Sequence, residues 1–372
     1  MILNNKQILV LHSSNDLYGA SKILINVLEI LINQGDSIHL ILPYKGPLDD
    51  LKSKGITIKH HNLGVLRKKY FNFFGLINRS IKIFKSILFI NSYVKKNNID
   101  LIYTNTSVII PGAIVSKINR MPSLFHIHEI PTNKIYSYAI GIFINVFATK
   151  IAVVSDAVKK KWIKHLNQEK VYRIYNGIEI YPQKPYSKFT TSKITFGIMA
   201  RIIPYKGHEY FIDLAKEILK EKKDFEFMIF GDTFIGYENY LARLKQKIVD
   251  YGLESKIIFK GFRDDVKKNF SEINFLIHCP TGPDPLPTVI LEAMNLGIPV
   301  VASDSGGIIE LLNCGKGGLL IPCDNAKLAS KKIIEFTCDK AQIEKKIIYS
   351  SKYLKNNFSI DIFENNIKKF FQ

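Results

Sequence analysis

The chain has 372 residues, of which 47% are hydrophobic and 23% are charged. This length predicts two domains, since single domains hold roughly 100–200 residues, and the composition excludes a disordered chain. Four cysteines, Cys279, Cys314, Cys323 and Cys338, lie far apart with no Cys-x-x-Cys pair. Such spacing argues against a structural zinc site or a disulfide framework and favours a reducing cytoplasm.

The net charge is +19, and residues 1–190 carry almost all of it. They contain 26 Lys and Arg against 10 Asp and Glu, whereas residues 191–372 contain 26 against 23. A half that is poor in acids favours an anionic partner: nucleic acid, an anionic lipid surface or a phosphorylated substrate. The alternative is a genome-wide bias toward Lys and Asn, although Lys and Arg are equally common in the second half.

The apolar run after Lys6 ends in polar residues without a small-residue cleavage site, so we expect a first β-strand here and no signal peptide. The longest uncharged runs, such as Ile135–Thr149, are shorter than the roughly 20 residues that span a bilayer. We predict a buried helix over Ile135–Thr149 and no membrane span, which leaves a soluble or peripheral protein.

Short apolar runs alternate with helical patterns, which predicts βαβ units, parallel sheets and the α/β class. The predicted strands are Gln7–Ser14, Ser37–Pro43, Gly55–His60, Asp100–Asn105, Ser123–His128, Lys150–Ser155, Val171–Tyr175, Ile194–Ala200, Phe225–Gly231, Lys256–Gly261, Asn274–Pro280, Pro299–Ser303 and Gly318–Pro322. Residues 181–192 show no periodicity, so we expect a linker there. It would join two doubly wound domains, 1–180 and 193–355, with ligands at the carboxyl ends of the strands.

One segment, Leu66–Lys96, departs from this rhythm because it mixes Phe, Tyr and Ile with Lys and Arg and has no acid. A basic amphipathic segment of this kind is typical of a helix that lies in a membrane interface with its aromatic rings at the headgroup boundary. The alternative is a crossover helix whose lysines face water. The charge asymmetry of the chain favours the membrane surface.

Two stretches of the second half carry residue types suited to phosphate and sugar recognition. Arg201 follows a predicted strand, and Lys206 with Gly207 opens a helix, so two cations lie about one turn apart at a helix N-terminus, where free N–H groups add to them. Further on, Asp284 lies in the loop before a helix that Pro287 or Thr288 begins, and Glu292 lies on that helix. These two carboxylates can address two parts of one ligand.

In the first half, the sequence His126-x-His128-Glu129 ends a predicted strand. Alternate strand residues share a face, so the two imidazoles could chelate a metal, but no third ligand is apparent and we predict no metal site. The alternative places one histidine in the core and the other at the strand tip.

Together these motifs resemble the GT-B retaining glycosyltransferases of family 4. The residues that carry the resemblance are Asp284-x7-Glu292 within LEAMNLGIPVVAS, the upstream ARIIPYKG, Asn176-Gly177, and Gly306-Gly307-x-x-Glu310, in the family's order along nearly the whole chain. The resemblance implies two Rossmann-like domains that face a central cleft. It assigns the acceptor to the first domain and the nucleotide-sugar donor to the second, with a last helix within 356–372 that packs back toward the first.

The resemblance also implies roles for individual residues. Glu292 is expected to bond the ribose hydroxyls, Asp284 to face the transferred sugar, and Arg201 and Lys206 to face the leaving diphosphate. The remaining expected contacts are Leu286, Thr288 and Val289 with the donor, His128 with the donor sugar, and Tyr18, Gly19, Ala20 and Lys22 with the acceptor and phosphate. Of these residues, His128, Asp284, Arg201 and Lys206 are the predicted catalytic ones.

The sequence departs from the family pattern at two positions. Asp284 stands where the family has Glu and is one methylene shorter. Pro287 removes a backbone N–H from a loop whose amides the family uses to hold sugar and phosphate. Both changes bear on which donor sugar the chain accepts, while the helix after Pro287 keeps its N-terminus available to the phosphate.

We therefore expect a hexosyltransferase that moves a sugar, with retention, from a UDP- or GDP-sugar to a membrane-anchored acceptor. The acid-poor first domain favours a polyprenyl-diphosphate-linked glycan of bacterial surface polysaccharide assembly, on the cytoplasmic face of the plasma membrane. Fixed cations and helix-end amides would stabilise the leaving diphosphate, so neither a metal nor another cofactor is expected, and no Asp-x-Asp motif is present.

Other functions stay open from the residues alone. A sugar-nucleotide epimerase could use the same fold without an acceptor or a basic surface. A nucleic-acid-binding protein would fit the basic charge, but no recognised module is present, so nucleic acid is not an expected partner. A catalytically inactive subunit of a transferase complex is the third alternative, and Asp284 in place of Glu is its only support. A hydrolase with paired carboxylates is disfavoured because Glu292 occupies the expected ribose position.

Overall fold

The computed structural model describes residues 5–67, 70–131, 133–181, 193–233 and 236–372. The chain divides into two compact units, which are Met1–Gly177 with Asp361–Gln372 (unit 1) and Ile178–Ile360 (unit 2). Except for its first residue, the predicted linker lies outside the described residues.

Unit 1 is built on a parallel sheet. Its strands are β1 (Gln7–Leu11), β2 (Ser37–Leu42), β3 (Thr57–His60), β4 (Leu101–Thr104), β5 (Ser123–Ile127), β6 (Lys150–Val153) and β7 (Val171–Arg173). They lie in the order β3-β2-β1-β4-β5-β6-β7. The α-helices of this unit are α1 (Gly19–Asn33), α2 (Phe73–Lys96), α3 (Pro111–Ile118), α4 (Lys134–Phe147), α5 (Asp156–Trp162) and, from the end of the chain, α13 (Ile360–Phe371).

Unit 2 repeats the plan. Its strands are β8 (Thr195–Met199), β9 (Glu226–Phe230), β10 (Ile257–Gly261), β11 (Phe275–His278), β12 (Val300–Ser303) and β13 (Leu319–Ile321). Their order is β10-β9-β8-β11-β12-β13, and all pairs are parallel. The α-helices are α6 (His208–Leu219), α7 (Glu238–Asp250), α8 (Val266–Ser271), α9 (Thr288–Asn295), α10 (Ile308–Leu311), α11 (Ala326–Cys338) and α12 (Lys340–Phe358).

All thirteen predicted strands are confirmed, each one to three residues shorter than predicted. Strands such as β4, β5, β11 and β12 are buried along their whole length, which is why they read as unbroken apolar runs. The excess lies mainly at the carboxyl ends, where loop residues such as His12, Asn105 and Cys279 are also buried.

The strand order reverses once in each sheet, between β1 and β4 in unit 1 and between β8 and β11 in unit 2. At such a point the two crossover connections leave on opposite faces, so the carboxyl ends of the two central strands stay uncovered by either helix. The loops after these four strands are therefore where each unit can bind a ligand.

The last helix, α13, packs on unit 1 through its aromatic face. Phe363 lies against Gly177, where a Cβ would approach the Phe363 Cβ to 2.4 Å, and the Phe371 ring lies 5.1 Å from that of Tyr103. Lys6 Nζ donates to the Phe371 carbonyl at 2.9 Å, and Lys150 Nζ donates to the Phe370 carbonyl at 3.2 Å. These lysines satisfy carbonyls that the end of a helix leaves without partners.

The helix predicted over Ile135–Thr149 is confirmed as α4, but the prediction that it is buried is wrong. Helix α4 buries Ile140 and Ile144, but its other side exposes a stripe that includes Ile135 (81% exposed) and Tyr138 (58%). An uncharged run has apolar residues on every side of the helix that it forms, but only one side of that helix can pack against the rest of the unit. Within the residues that the structure describes, no helix has both the length and the apolar character to cross a membrane.

Candidate functional site

The residues directly after β1, β4 and β5 form a buried hydrogen-bond network in unit 1. They are His12, Asn105 and His128, and their strands are neighbours in the sheet. Asn105 lies in the middle: its Nδ2 is 3.2 Å from His12 Nδ1, and its Oδ1 is 2.9 Å from His128 Nε2. Of these three, sequence reasoning found only His128. His12 and Asn105 could have been found from their position, because each directly follows a strand at the point where the strand order reverses.

Tyr103 and His126 extend the network into the core. The Tyr103 hydroxyl lies 3.0 Å from Asn105 Oδ1 and 2.7 Å from His126 Nδ1. Both side chains point from buried strand positions, and burial raises the pKa of Tyr103 well above its ordinary value, so its hydroxyl keeps its proton.

The three histidines of the network are neutral near pH 7. Burial lowers the pKa of His12 to about 4 and that of His126 to about 3. Burial also holds the pKa of His128 well below its ordinary value, and the neighbouring His126 and His12 lower it further. Because a neutral imidazole has one N–H and one lone pair, each hydrogen bond that these rings make has a definite direction.

His126 and His128 match the structural alternative, with one histidine in the core and the other at the strand tip. The His126 ring is fully buried on β5, His128 is half-buried just after it, and the ring centroids are 4.2 Å apart. In the described ranges of the chain, no group of three or more His, Cys, Asp or Glu side chains is arranged to hold a metal ion.

Glu129 ties the loop after β4 to the loop after β5. Its carboxylate accepts from the Thr106 hydroxyl, from the Ser107 N–H (3.2 Å) and hydroxyl (3.1 Å), and from the His128 N–H (3.2 Å). Burial raises the pKa of Glu129 more than these bonds lower it. Glu129 therefore fixes the backbone on which His128 stands.

The loop predicted to contact the acceptor leads into α1, which Gly19 and Ala20 begin. Asp16 Oδ1 accepts from the Tyr18 N–H at 3.1 Å, so a carboxylate already lies beside this helix N-terminus. Lys22 is exposed one turn into the helix. Contact of this loop with an acceptor phosphate stays a prediction.

In unit 2, two predicted site residues form an ion pair. Lys206 Nζ lies 2.7 Å from Asp284 Oδ2, and His278 Nε2, which sequence reasoning missed, lies 3.3 Å from the same oxygen. Burial alone would raise the pKa of Asp284, but the Lys206 charge and the His278 hydrogen bond outweigh it and hold that pKa well below its ordinary range. Asp284 is therefore ionised. His278 is the last residue of β11, a strand that lies at the reversal of strand order.

Glycines allow the loops of this site to touch backbone to backbone. At Gly207 (φ +80°) a Cβ would lie 1.7 Å from the Cys279 carbonyl oxygen, and at Gly306 (φ +60°) one would lie 2.4 Å from the Asp284 carbonyl oxygen. Gly307 N–H donates to that same carbonyl at 2.8 Å. Only glycine combines this left-handed backbone with such close approach, so these positions fix where Lys206 and Asp284 stand.

The other predicted donor contacts lie on the same edge of unit 2. Arg201 is half-buried two residues after β8, Leu286 is buried, and Thr288, Val289 and Glu292 are half-buried on α9. The residues that precede α6 and α9 are Gly207 and Pro287, and neither contributes a side-chain hydrogen bond that caps its helix. The contacts of the predicted residues with a nucleotide stay predictions.

The two units, each doubly wound with a polar edge at its reversal point, define the GT-B architecture of glycosyltransferases. Residues 18–180 match the family described as Glycosyltransferase Family 4, and residues 182–353 match the family described as Glycosyl transferases group 1. The two matches follow one another along nearly the whole chain. The chain belongs to the group 1 glycosyltransferases of the family 4 type, and is a transferase enzyme.

Known proteins resemble the chain over different lengths. The crystal structure of Anabaena HepE in complex with UDP and glucose has a TM-score of 0.83 at 24% identity, covering 98% of this chain and 99% of HepE. The UDP-Gal:alpha-D-GlcNAc-diphosphoundecaprenol alpha-1,3-galactosyltransferase of Escherichia coli is 23% identical over 87% of this chain and 86% of its own. The putative colanic acid biosynthesis glycosyltransferase WcaL of Salmonella typhimurium is 32% identical, but the match spans 37% of this chain and only 35% of that relative.

The ion pair of unit 2 gives a first prediction. Asp284→Asn should lower the free energy of unfolding of unit 2 by about 2–3 kcal/mol, because the ammonium of Lys206, only 20% exposed, loses its counter-charge. In a Lys206→Met background the same change should cost less. Urea unfolding of the four proteins measures the coupling, and additive costs would contradict a direct pair.

The same pair predicts a pH dependence. Since the folded pKa of Asp284 is lowered, its contribution is complete above the pKa of an unfolded aspartate, about 3.9, and is lost as the pH falls below it. The stability difference between the wild type and Asp284→Asn should therefore stay constant down to about pH 4 and shrink only below it.

The buried histidines give a third prediction, which concerns unit 1. Unfolded histidine binds a proton near pH 6.5, whereas these stay neutral in the fold, so stability is complete above about pH 6.5 and falls below it. Each histidine contributes a slope of about 1.4 kcal/mol per pH unit. His126→Phe should lower the slope of stability against pH by the contribution of one histidine.

The fluorescence of Trp162, the single tryptophan, reports the unfolding of unit 1 in urea at each pH, because this residue is buried there. Phe125→Leu, on the same strand, is the control: it should lower stability at every pH without changing the slope. An unchanged slope in His126→Phe would refute the assignment.

Proposed function

We propose that the chain transfers a hexose, with retention of the anomeric configuration, from a UDP- or GDP-sugar to a polyprenyl-diphosphate-linked glycan in bacterial surface polysaccharide assembly. The enzyme would work in the cytoplasm, peripheral on the inner face of the plasma membrane, without a metal. The observation that carries the proposal is the edge of unit 2 where Lys206, Arg201 and the uncapped start of α9 lie beside the strand reversal.

The donor is assigned to unit 2 because its edge offers what a nucleoside diphosphate needs. Lys206 and Arg201 supply positive charge, and the starts of α6 and α9 supply backbone N–H groups with the favourable end of the helix dipole. Glu292, four residues into α9, supplies the carboxylate expected to accept from the ribose hydroxyls. The similarity to HepE, crystallised with UDP and glucose, supports this assignment.

The chemistry we propose is stabilisation of the leaving diphosphate by fixed groups. As the bond between the anomeric carbon and the phosphate oxygen breaks, negative charge grows on the diphosphate, and Lys206, Arg201 and helix-end N–H groups hold it. The Lys206 ammonium has three N–H groups, so it can keep its bond to Asp284 while it donates to phosphate. Asp284 then orients Lys206 and stays beside the transferred sugar.

The acceptor is assigned to unit 1. The similarity, over 87% of the chain, to an Escherichia coli galactosyltransferase whose acceptor is a diphosphoundecaprenol-linked sugar supports a lipid-linked acceptor. The similarity of part of the chain to a putative colanic acid enzyme supports a role in surface polysaccharide assembly. An acceptor of this kind requires the enzyme to reach the membrane surface.

Unit 1 has an exposed apolar surface suited to that task, which we call the outer apolar surface. On α2 a stripe at helical spacing faces solvent, with Phe73 at 73% and Phe84 at 62% exposure, and the side that faces the unit buries Ile90 and Val94. The stripe of α4 joins it where Phe71 packs edge-on against Tyr136. The members are Phe71, Phe73, Phe74, Leu76, Ile77, Ile81, Phe84 and Leu88, with Ile135, Tyr138, Ile142 and Val146.

The charge around this surface fits an anionic bilayer. Residues 51–99 contain no Asp or Glu, and Lys85, Lys95 and Lys96 are exposed on α2. Near the start of α2 the Arg79 side chain is buried, and its Cζ lies 3.9 Å from the centroid of the Tyr70 ring. Aromatic side chains that enter the headgroup boundary and lysines that attract anionic lipid are the two contributions that hold a helix in a membrane interface.

The donor assignment predicts that one nucleoside diphosphate raises the melting temperature of the chain. The diphosphates UDP, GDP and ADP and the monophosphate CMP would be compared by thermal unfolding. Glu292→Gln should weaken binding of the active nucleotide about tenfold or more, because a charged acceptor of hydroxyl hydrogen bonds is lost. Glu335→Gln, an exposed acid on α11, is the matched control and should bind as the wild type does. A shift with none of the four would overturn the proposal.

The membrane assignment predicts co-sedimentation with vesicles of phosphatidylcholine and phosphatidylglycerol, and weaker binding to phosphatidylcholine alone or at high salt. Phe73→Ser with Phe84→Ser should reduce binding roughly 100-fold, because burying a Phe side chain contributes about 1.5–3 kcal/mol. Ile348→Ser, which removes an apolar residue 70% exposed in unit 2, should have no effect. Self-association of the wild type without vesicle binding would instead identify a second copy as the occupant.

A further inference from the structure

The amide of Asn105 has a single orientation that its neighbours can satisfy. Nδ2 faces the Ala20 carbonyl oxygen at 3.4 Å and His12 Nδ1 at 3.2 Å. A carbonyl oxygen only accepts, so the amide nitrogen must be the atom on that side. The amide oxygen then faces the opposite way, toward His128.

This orientation decides which nitrogen of His128 carries the proton. Asn105 Oδ1 lies 2.9 Å from His128 Nε2 and 3.0 Å from the Tyr103 hydroxyl. An amide oxygen only accepts, so Nε2 of His128 must be the N–H. The ring is neutral in its buried setting, and the lone pair therefore lies on Nδ1.

We propose that Asn105 is a positioning residue that holds His128 as its Nε2–H tautomer, so that His128 Nδ1 serves as a hydrogen-bond acceptor for a hydroxyl group of the substrate sugar. This inference rests on the proposed function. Nδ1 takes a group that donates hydrogen, such as a sugar O–H, and does not take an ionised phosphate or carboxylate oxygen, which has no hydrogen to donate. Phosphate recognition is left to the cations of unit 2.

The hydrogen bonds beyond Asn105 agree with this direction. Since Asn105 donates to His12 Nδ1, the proton of neutral His12 lies on Nε2, which donates to Ser21 Oγ at 3.0 Å. The Ser21 hydroxyl in turn donates to Asp16 Oδ1 at 2.9 Å. Every donor from Asp16 back to Asn105 has an acceptor, so the charge of Asp16 anchors the orientation of the amide.

The remaining titratable groups around His128 leave this assignment intact. The neighbouring histidine, His126, is neutral and bonds to Tyr103 and not to Asn105. Glu129 meets His128 through the backbone N–H, at 3.2 Å, and not through the ring. The ring of His128 therefore takes its tautomer from Asn105 alone among the side chains that the structure describes around it.

The chain offers a matched pair of variants. Asn105→Leu keeps a side chain of similar size but removes the acceptor of the His128 N–H. Tyr103→Phe removes the other hydrogen bond to Asn105 Oδ1, together with the bond to His126 Nδ1, and leaves the bond between Asn105 and His128 in place. Both variants alter the same buried network, so a merely structural role would affect them alike.

The experiment is nitrogen-15 NMR of histidine-labelled protein at about pH 7.5, above the ordinary pKa of histidine. The wild type and Tyr103→Phe should show His128 with Nε2 protonated and Nδ1 bare, and Asn105→Leu should show an exchanging mixture of tautomers. A wild-type His128 protonated on Nδ1, or an unchanged tautomer in Asn105→Leu, would overturn the inference. Trp162 fluorescence shows that each variant is folded.

Turnover separates this inference from the proposed function. With UDP-glucose, UDP-galactose and GDP-mannose as donors and a polyprenyl-diphosphate-linked sugar as acceptor, Asn105→Leu should lower the kcat for the accepted donor 10- to 100-fold with a smaller change in KM. Tyr103→Phe should stay within threefold. Asn105→Leu within twofold of wild type would overturn the inference. If the wild type turns over none of the three, the proposed function fails for these donors while the NMR result still decides the tautomer.

Discussion

The single reversal of strand order in each sheet is the constraint on which both candidate sites depend. Crossover connections between parallel strands are right-handed, so a sheet that grows outward in both directions from its centre must send consecutive helices to opposite faces. The carboxyl ends of β1 and β4, and of β8 and β11, are left between them. Polar residues that follow these strands can then be buried and yet reach a ligand.

The two edges solve the burial of polar groups in different ways. Unit 1 buries neutral groups: burial keeps its histidines and tyrosine uncharged, and the hydrogen bonds around Asn105 give them a fixed direction. Unit 2 buries an ion pair, in which Lys206 compensates the charge of Asp284. In a medium of low dielectric both arrangements work only when every partner is present. A neutral edge suits the recognition of hydroxyl groups, and a cationic edge suits the recognition of phosphates.

Backbone contacts hold these side chains in position. In unit 2, Gly207 and Gly306 let three loops pack so closely that a Cβ at either position would overlap a neighbouring carbonyl oxygen. This packing brings together Lys206 and Asp284, which are 78 residues apart in sequence. In unit 1, Glu129 clamps the loops after β4 and β5, and Phe371 from the last helix packs against Tyr103 beneath the network. The end of the chain thus supports the core from which the network rises.

The sequence by itself determined the strands, the helix starts at Gly207 and Thr288, and the order of motifs that identifies the family, because these depend on local periodicity and turn residues. Tertiary structure alone decided which side of α4 is exposed, since an apolar run does not show which of its residues face the rest of the unit. It also decided the partners of His128 and Asp284. Asn105 meets His12 across 93 residues, and His278 meets Asp284 only because β11 ends beside that loop. Hydrogen-bond direction depends on neighbours brought together by folding, and no local pattern records them.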